Sequence, residues 1–227
     1  MRTRLGIFCD KMIEAGWLAA VIVVPLFFNI YSQRVFEPDK LSLLRSIALV
    51  MSVAWVIRIV EDRRANSGQE EQGEQHVFLL QRVYKAPLVL PTLLLVLVYL
   101  VSTMASIAPS VSFWGSYQRL QGTYTTLSYI VIFFLAVQGI RTKRQLNRLI
   151  FAMILVSFPI ALYGLIQHFG LDPLPWGGNV TTRVAANMGN AIFVAAFLIM
   201  VVPLTLSRLL ENWKQVVGPA DPRDGVL

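Results

Sequence analysis

Six apolar runs dominate the sequence, and each is near the length of about 20 residues that an α-helix needs to cross a lipid bilayer. They extend over residues 12–31, 41–60, 87–107, 124–140, 149–169 and 190–209. Only 15% of the 227 residues are charged and 56% are hydrophobic, whereas about a quarter of a soluble domain is charged. The pattern predicts an all-α, polytopic integral membrane protein with six transmembrane helices. It excludes a soluble globular enzyme, a disordered chain and a disulfide scaffold.

The basic residues of the loops predict an orientation, because cytoplasmic loops of membrane proteins carry an excess of Lys and Arg. With a cytoplasmic N-terminus, fifteen of the 20 basic residues fall in inside segments and Arg45 falls just inside the second span. The remaining four, in outside segments, are Arg34, Lys40, Arg119 and Arg183. We therefore expect a multi-pass protein of the inner (cytoplasmic) membrane with both termini in the cytoplasm. The net charge of +7 then reflects loop charge, and no nucleic-acid partner is predicted.

Two segments are polar and are predicted to lie outside the membrane. Residues 61–86 include a Gln/Glu-rich stretch and are predicted to form a cytoplasmic loop. Residues 210–227 contain Gly218, Pro219, Pro222 and Gly225 and are predicted to form a disordered cytoplasmic tail. The predicted domain organisation is thus a six-helix transmembrane domain over residues 1–209, followed by this tail.

Aromatic and polar residues concentrate in residues 112–124, between the third and fourth spans. This segment contains Trp114, Tyr117 and Arg119 together with two glycines, which allow tight turns. Trp and Tyr rings suit the headgroup level of a membrane and also stack on sugar rings. The composition fits a substrate-binding loop and an interfacial aromatic belt with one solvated arginine about equally well.

A second polar segment joins the fifth and sixth spans. Arg183 lies shortly before the sixth helix, where a guanidinium and helix N-terminal amides can hold an anionic headgroup or a pyrophosphate. The same residue fits an interfacial arginine that reaches lipid phosphates. His168, at the end of the fifth span, fits an interfacial polar residue better than a general base or a ligand.

Other chemistry has no recognisable motif in the sequence. No metal-ligand cluster, Ser-His-Asp set or phosphate-binding glycine loop is visible, so neither a metal, a cofactor nor a catalytic residue is predicted. The spans also lack a convincing ionisable residue at the midplane of the membrane, which counts against an ion-coupled transporter.

The residues of the two polar segments resemble the O-antigen ligase and O-antigen polymerase family of bacterial membrane glycan transferases. Residues 114–122 resemble the family's Trp-Gly-x-x-x-Arg-x-x-Gly segment, and residues 163–167 resemble the end of the next outward-going helix. Residues 183–193 resemble its Arg-x-x-Gly-Thr-x-Gly-Asn-Pro-Asn-Phe segment. The departures from that last pattern are Ala186, Asn187, Ala191 and Ile192.

The resemblance implies a metal-independent, inverting transferase that acts on a glycan carried by a polyprenyl diphosphate, as in lipopolysaccharide biosynthesis and other cell-envelope pathways. Because the leaving group is a diphosphate, cations must stabilise its developing charge; Arg183 is the first candidate and Arg119 the second. The expected substrate-binding residues are Arg183, Arg119, Trp114, Tyr117, Gln167 and Asn190.

In the family, the catalytic histidine and further arginines lie in a large outward loop of the C-terminal half. His168 does not match that histidine. Family members have about twice as many spans, so the resemblance covers the N-terminal half of such an enzyme, which is expected to be incomplete for catalysis alone. The expected partners are membrane lipids, a polyprenyl-diphosphate glycan and a second membrane chain. One alternative is a non-catalytic integral subunit that packs in a larger membrane complex. Another is a small transporter or flippase-like protein.

Overall fold

Helices make up almost all of the regular structure in the computed structural model, which describes residues 3–29, 31, 37–66, 88–174, 176 and 178–217. No β-strand occurs among these residues, which agrees with the all-α prediction. The helices are α1 (Arg4–Leu26), α2 (Glu37–Asn66), α3 (Val89–Met104), α4 (Pro109–Trp114), α5 (Thr123–Gly139), α6 (Lys143–His168) and α7 (Ala191–Val217). A single 3₁₀ turn (Ala186–Met188) precedes α7.

Three of the helices are long and apolar enough to cross a membrane: Glu37–Arg64 in α2, Lys143–His168 in α6 and Ala191–Trp213 in α7. Only 22%, 22% and 11% of their most apolar stretches are buried within the protein, so most of their apolar side chains face outward, as lipid contact requires. Helices α3 and α5 are apolar but shorter. Helix α1 is long enough to cross a membrane, but every stretch of 18 residues in it includes the charged residues Asp10, Lys11 and Glu14. It is therefore not among the three helices that are apolar enough to cross.

Six helices overlap the six predicted spans, with shifts at their ends. Helix α1 begins at Arg4, well before residue 12, because the Thr3 hydroxyl accepts a hydrogen bond from the Gly6 N–H at 3.0 Å and caps the helix. Helix α2 continues to Asn66 and α7 to Val217, past the predicted ends of the second and sixth spans. The rest of the predicted cytoplasmic loop and tail, residues 67–86 and 218–227, lies outside the described residues.

The chain divides into two compact units, Met1–Lys143 and Arg144–Leu227. In the first unit, α1 packs along α2, and both contact α5, which also contacts α3 and α4. Trp17 and Met51 are among the most buried side chains of this core. Gly16 permits the close approach of α1 to α2, because a Cβ at this position would overlap the Met51 side chain. An ion pair of 2.9 Å between Arg58 and Asp10 also joins these two helices.

The second unit contains α6, the 3₁₀ turn and α7. One stripe of α6 is buried: Ala152, Val156, Ile160, Gly164 and Gln167. Gly164 lies against Val184, and a Cβ at residue 164 would come within 2.9 Å of the Val184 side chain. At the other end of α6, Arg208 of α7 donates a hydrogen bond of 2.6 Å to the Asn147 side chain.

Candidate functional site

Loop A, residues 115–122, connects α4 to α5 and closes on itself. Gly115 has a positive φ of 87°, which favours glycine. A Cβ on Gly122 would overlap the backbone of Phe113 and Gly115, where the two ends of the loop meet. Both glycines of the sequence motif therefore serve the closure of the loop.

Arg45 of α2 holds loop A in place. Its Nη2 atom donates to the carbonyl oxygens of Trp114 at 2.7 Å and Leu120 at 2.6 Å, and its Nε atom donates to the Thr125 hydroxyl at 2.9 Å. The guanidinium also lies 4.8 Å from the centroid of the Tyr124 ring, a cation–π distance. One side chain thus joins both ends of the loop to α2.

The backbone of loop A is strained at one of the residues that Arg45 holds. Leu120 has a φ of 53°, in the left-handed region that residues other than glycine rarely adopt. Its carbonyl oxygen accepts hydrogen bonds from both Arg45 and the Thr125 hydroxyl, each of 2.6 Å. These bonds offset the strain, so the conformation of the loop depends on Arg45.

The predicted residues Tyr117 and Arg119 of loop A, and Trp114 at the end of α4, lie at the surface. Trp114 is 53% exposed, and its ring packs edge-on against Phe113 and Tyr124. Tyr117 is 70% exposed. Arg119 is exposed, and its guanidinium has no hydrogen bond or ion pair with any described residue. The loop therefore combines a fixed backbone with an unengaged cation.

Loop B, residues 169–190, connects α6 to α7 and is organised around the Asp172 carboxylate. Asp172 Oδ2 accepts hydrogen bonds from Trp176 Nε1 at 2.7 Å, Tyr163 Oη at 2.8 Å and Gln167 Nε2 at 3.2 Å. Asp172 Oδ1 accepts one from the Leu174 N–H at 3.0 Å. Burial raises the pKa of Asp172, but these four donors outweigh that effect and hold the pKa below its usual value.

Gln167 is fully buried and ties the two ends of loop B together. Its Oε1 accepts hydrogen bonds from the Ala185 N–H at 3.2 Å and the Ala186 N–H at 2.7 Å. Its Nε2 donates to the Ala186 carbonyl at 3.4 Å as well as to Asp172. Ala186 has a positive φ of 44°. Gln167, predicted as a substrate-binding residue, thus engages the strained part of loop B.

Loop B also carries the other two predicted residues, Asn190 and Arg183. The Asn190 side chain accepts a hydrogen bond of 2.9 Å from the Ile192 N–H and so caps the first turn of α7. Arg183 is exposed, and its guanidinium has no hydrogen bond or ion pair within the described part of the chain. Asn190 uses only its side-chain oxygen in this cap, so both residues keep side-chain N–H donors that no described residue engages.

A tight turn over residues 179–183 precedes the 3₁₀ turn. The Asn179 side chain accepts hydrogen bonds from the Thr181 N–H, the Thr181 hydroxyl and the Thr182 N–H, while the Asn179 carbonyl accepts the Arg183 N–H at 3.4 Å. His168 Nδ1 lies 2.8 Å from the Thr181 carbonyl oxygen, so it carries the proton. His168 thus fixes this turn to the end of α6.

Comparison with family models, curated proteins and solved structures finds no match to the chain. Among the residues that the structure describes, no group of three or more His, Cys, Asp or Glu side chains is arranged to hold a metal ion. The sequence analysis did not include Arg45, Asp172, Tyr163 and Trp176 among the site residues, although they organise the two loops. The sequence feature that could have identified Arg45 as a functional residue is its charge inside an apolar run.

Proposed function

We propose that this protein is an inner-membrane protein of six spans in which loop A and loop B each present their own binding surface for the diphosphate of a polyprenyl-linked glycan. In the proposed topology both termini are cytoplasmic and both loops face outward. The observation that carries the proposal is that each loop is fixed by internal hydrogen bonds and presents one unengaged guanidinium, Arg119 or Arg183. The resemblance to the O-antigen ligases and polymerases supplies the substrate class.

Fixed loops support anion binding for a physical reason. A flexible loop loses conformational freedom when it binds a ligand, whereas a loop already ordered by Arg45 or by Gln167 has little left to lose. Guanidinium groups match the oxygens of a diphosphate in geometry and remain charged at all physiological pH values. Their hydrogen bonds to phosphate are charge-assisted and are about twice as strong as neutral ones.

The proposed role is binding of the donor substrate, and no proton acceptor is assigned. Cations that contact the diphosphate would also stabilise the charge that develops as the glycan leaves.

The test is binding of farnesyl diphosphate to the protein in lipid nanodiscs, with farnesyl monophosphate as the control ligand. We expect Arg183→Gln to raise the Kd of loop B for the diphosphate, and Arg119→Gln the Kd of loop A, each about tenfold, equivalent to about 1.4 kcal/mol. The matched control is Arg144→Gln, which removes an exposed arginine outside both loops. Equal Kd values for wild type and both loop variants would refute the proposal and favour the non-catalytic subunit.

A further inference from the structure

A cavity of about 280 Å³ opens in loop B, beside the end of α6. Its lining includes Gln167, Asp172, Trp176, Asn179 and Thr181. Pockets for drug-sized ligands begin near roughly 300 Å³, so this cavity suits a single small ring. The wall combines one aromatic residue and the apolar Leu174 and Val180 with several polar residues.

Asp172 provides a hydrogen-bond acceptor in this wall that is not saturated. An ionised carboxylate has about four acceptor sites, two on each oxygen. Among the residues that the structure describes, Oδ2 accepts from Trp176, Tyr163 and Gln167, whereas Oδ1 accepts only from the Leu174 N–H. Oδ1 therefore keeps one site for an incoming hydroxyl, and the surrounding donors fix its position.

Trp176 provides an oriented aromatic ring next to that acceptor. Its indole N–H donates to Asp172 at 2.7 Å, which sets the ring plane, and the side chain is only partly buried. A pyranose ring has one face of C–H groups that packs on an aromatic surface, and hydroxyls around its edge that need acceptors. Gly170 and Gly178 also line the cavity and leave it open, because neither has a side chain.

We propose that this cavity binds one hexopyranose unit, with its apolar face on Trp176 and a ring hydroxyl donating to Asp172 Oδ1. The inference rests on the proposed function to the extent that the sugar is taken to belong to the lipid-linked glycan. It identifies a sugar subsite in loop B that is separate from the phosphate-binding role of Arg183.

Gly178 lines the cavity, and a Cβ built on it meets no atom within 4 Å. Gly178→Phe therefore adds an aromatic ring at the cavity wall without a clash with the fold. Thr182→Phe is the matched control, because it adds the same ring to the turn that follows, at an exposed residue that does not line the cavity. Hydrogen exchange of the α6 amides checks that both variants retain the wild-type fold.

The experiment is saturation-transfer NMR on the nanodisc-embedded protein with methyl glucoside, methyl galactoside and methyl mannoside, and with the acyclic hexitol sorbitol as the control ligand. We expect wild type and Thr182→Phe to bind at least one pyranoside but not sorbitol, and Gly178→Phe to lose at least about tenfold in affinity. Absence of pyranoside binding by wild type would overturn the inference, as would equal binding by Gly178→Phe.

This result can be separated from the test of the proposed function. If the pyranosides fail to bind while farnesyl diphosphate still binds through Arg119 or Arg183, only the sugar subsite is wrong. If a pyranoside binds in the cavity while the diphosphate does not depend on either arginine, the sugar subsite stands and the diphosphate role is wrong.

Discussion

Replacing Arg45 with methionine should release loop A while leaving the helices of the first unit in place. Arg45→Met keeps most of the side-chain length but removes the donors to Trp114, Leu120 and Thr125. Hydrogen bonds to charged groups contribute about 1.5–3 kcal/mol each, and an exposed cation–π contact contributes about 0.5–1 kcal/mol. The Thr125 hydroxyl still donates to the Leu120 carbonyl, which reduces the loss.

The lower ends of these ranges together give about 5 kcal/mol. Because the Thr125 bond remains, we expect loop opening to become easier by about 4 kcal/mol, which corresponds to a roughly thousandfold change in the opening equilibrium. Hydrogen exchange of the amides in residues 115–122 measures this change directly. Arg58→Met is the matched control, because Arg58 is on the same helix and pairs with Asp10 instead. Wild-type exchange of loop A in Arg45→Met would refute the clamp. In Arg45→Lys the exchange rate of loop A should lie between those of wild type and Arg45→Met, because one ammonium group cannot make all the hydrogen bonds of a guanidinium.

Three further predictions concern the same loops. Gly122→Ala should destabilise loop A severely and lower the melting temperature, because a Cβ at residue 122 has no space. Gly178→Ala should leave the melting temperature unchanged, because a Cβ there meets no atom. Similar melting temperatures for the two variants would contradict the closure of loop A. Gln167→Leu should lower the free energy of unfolding of the second unit by about 2–4 kcal/mol, because it leaves the Ala186 N–H buried without its acceptor. Thermal unfolding measures this loss. Because the pKa of Asp172 is lowered, its ionised form stabilises loop B above about pH 4, and this contribution is lost as the pH falls further. Hydrogen exchange of the loop B amides should therefore become faster in acid. If Asp172→Asn shows the same acid dependence, the Asp172 carboxylate is not its cause.

The helices were predictable from the sequence because the signal for them is local. The apolar runs that define α2, α6 and α7 are continuous in the chain and agree with the three helices able to cross a membrane. Helix ends were less predictable. The start of α1 depends on the Thr3 cap, and its first turns contain Asp10, which the apolar pattern places outside the span.

The two loops differ in how far their contacts could be predicted, because those of loop A are distant in sequence and those of loop B are local. Arg45 is 69 residues away in sequence from Trp114, whose carbonyl it holds, so no local pattern could reveal that contact. By contrast, Tyr163 and Gln167 are four residues apart on one face of α6 and both donate to Asp172. The network of loop B therefore had a local signal, and that signal lay within the second polar segment.

The most direct test of the central claim is native mass spectrometry of the protein extracted gently from its own membrane. Our account predicts that wild type carries a bound species with the mass of a polyprenyl-diphosphate glycan, and that the species is lost in the variant carrying Arg119→Gln and Arg183→Gln together. The Arg144→Gln variant should retain it. A wild-type protein that carries no such lipid, or a double variant that carries as much of it as wild type, would contradict the claim that loop A or loop B binds a lipid-linked diphosphate.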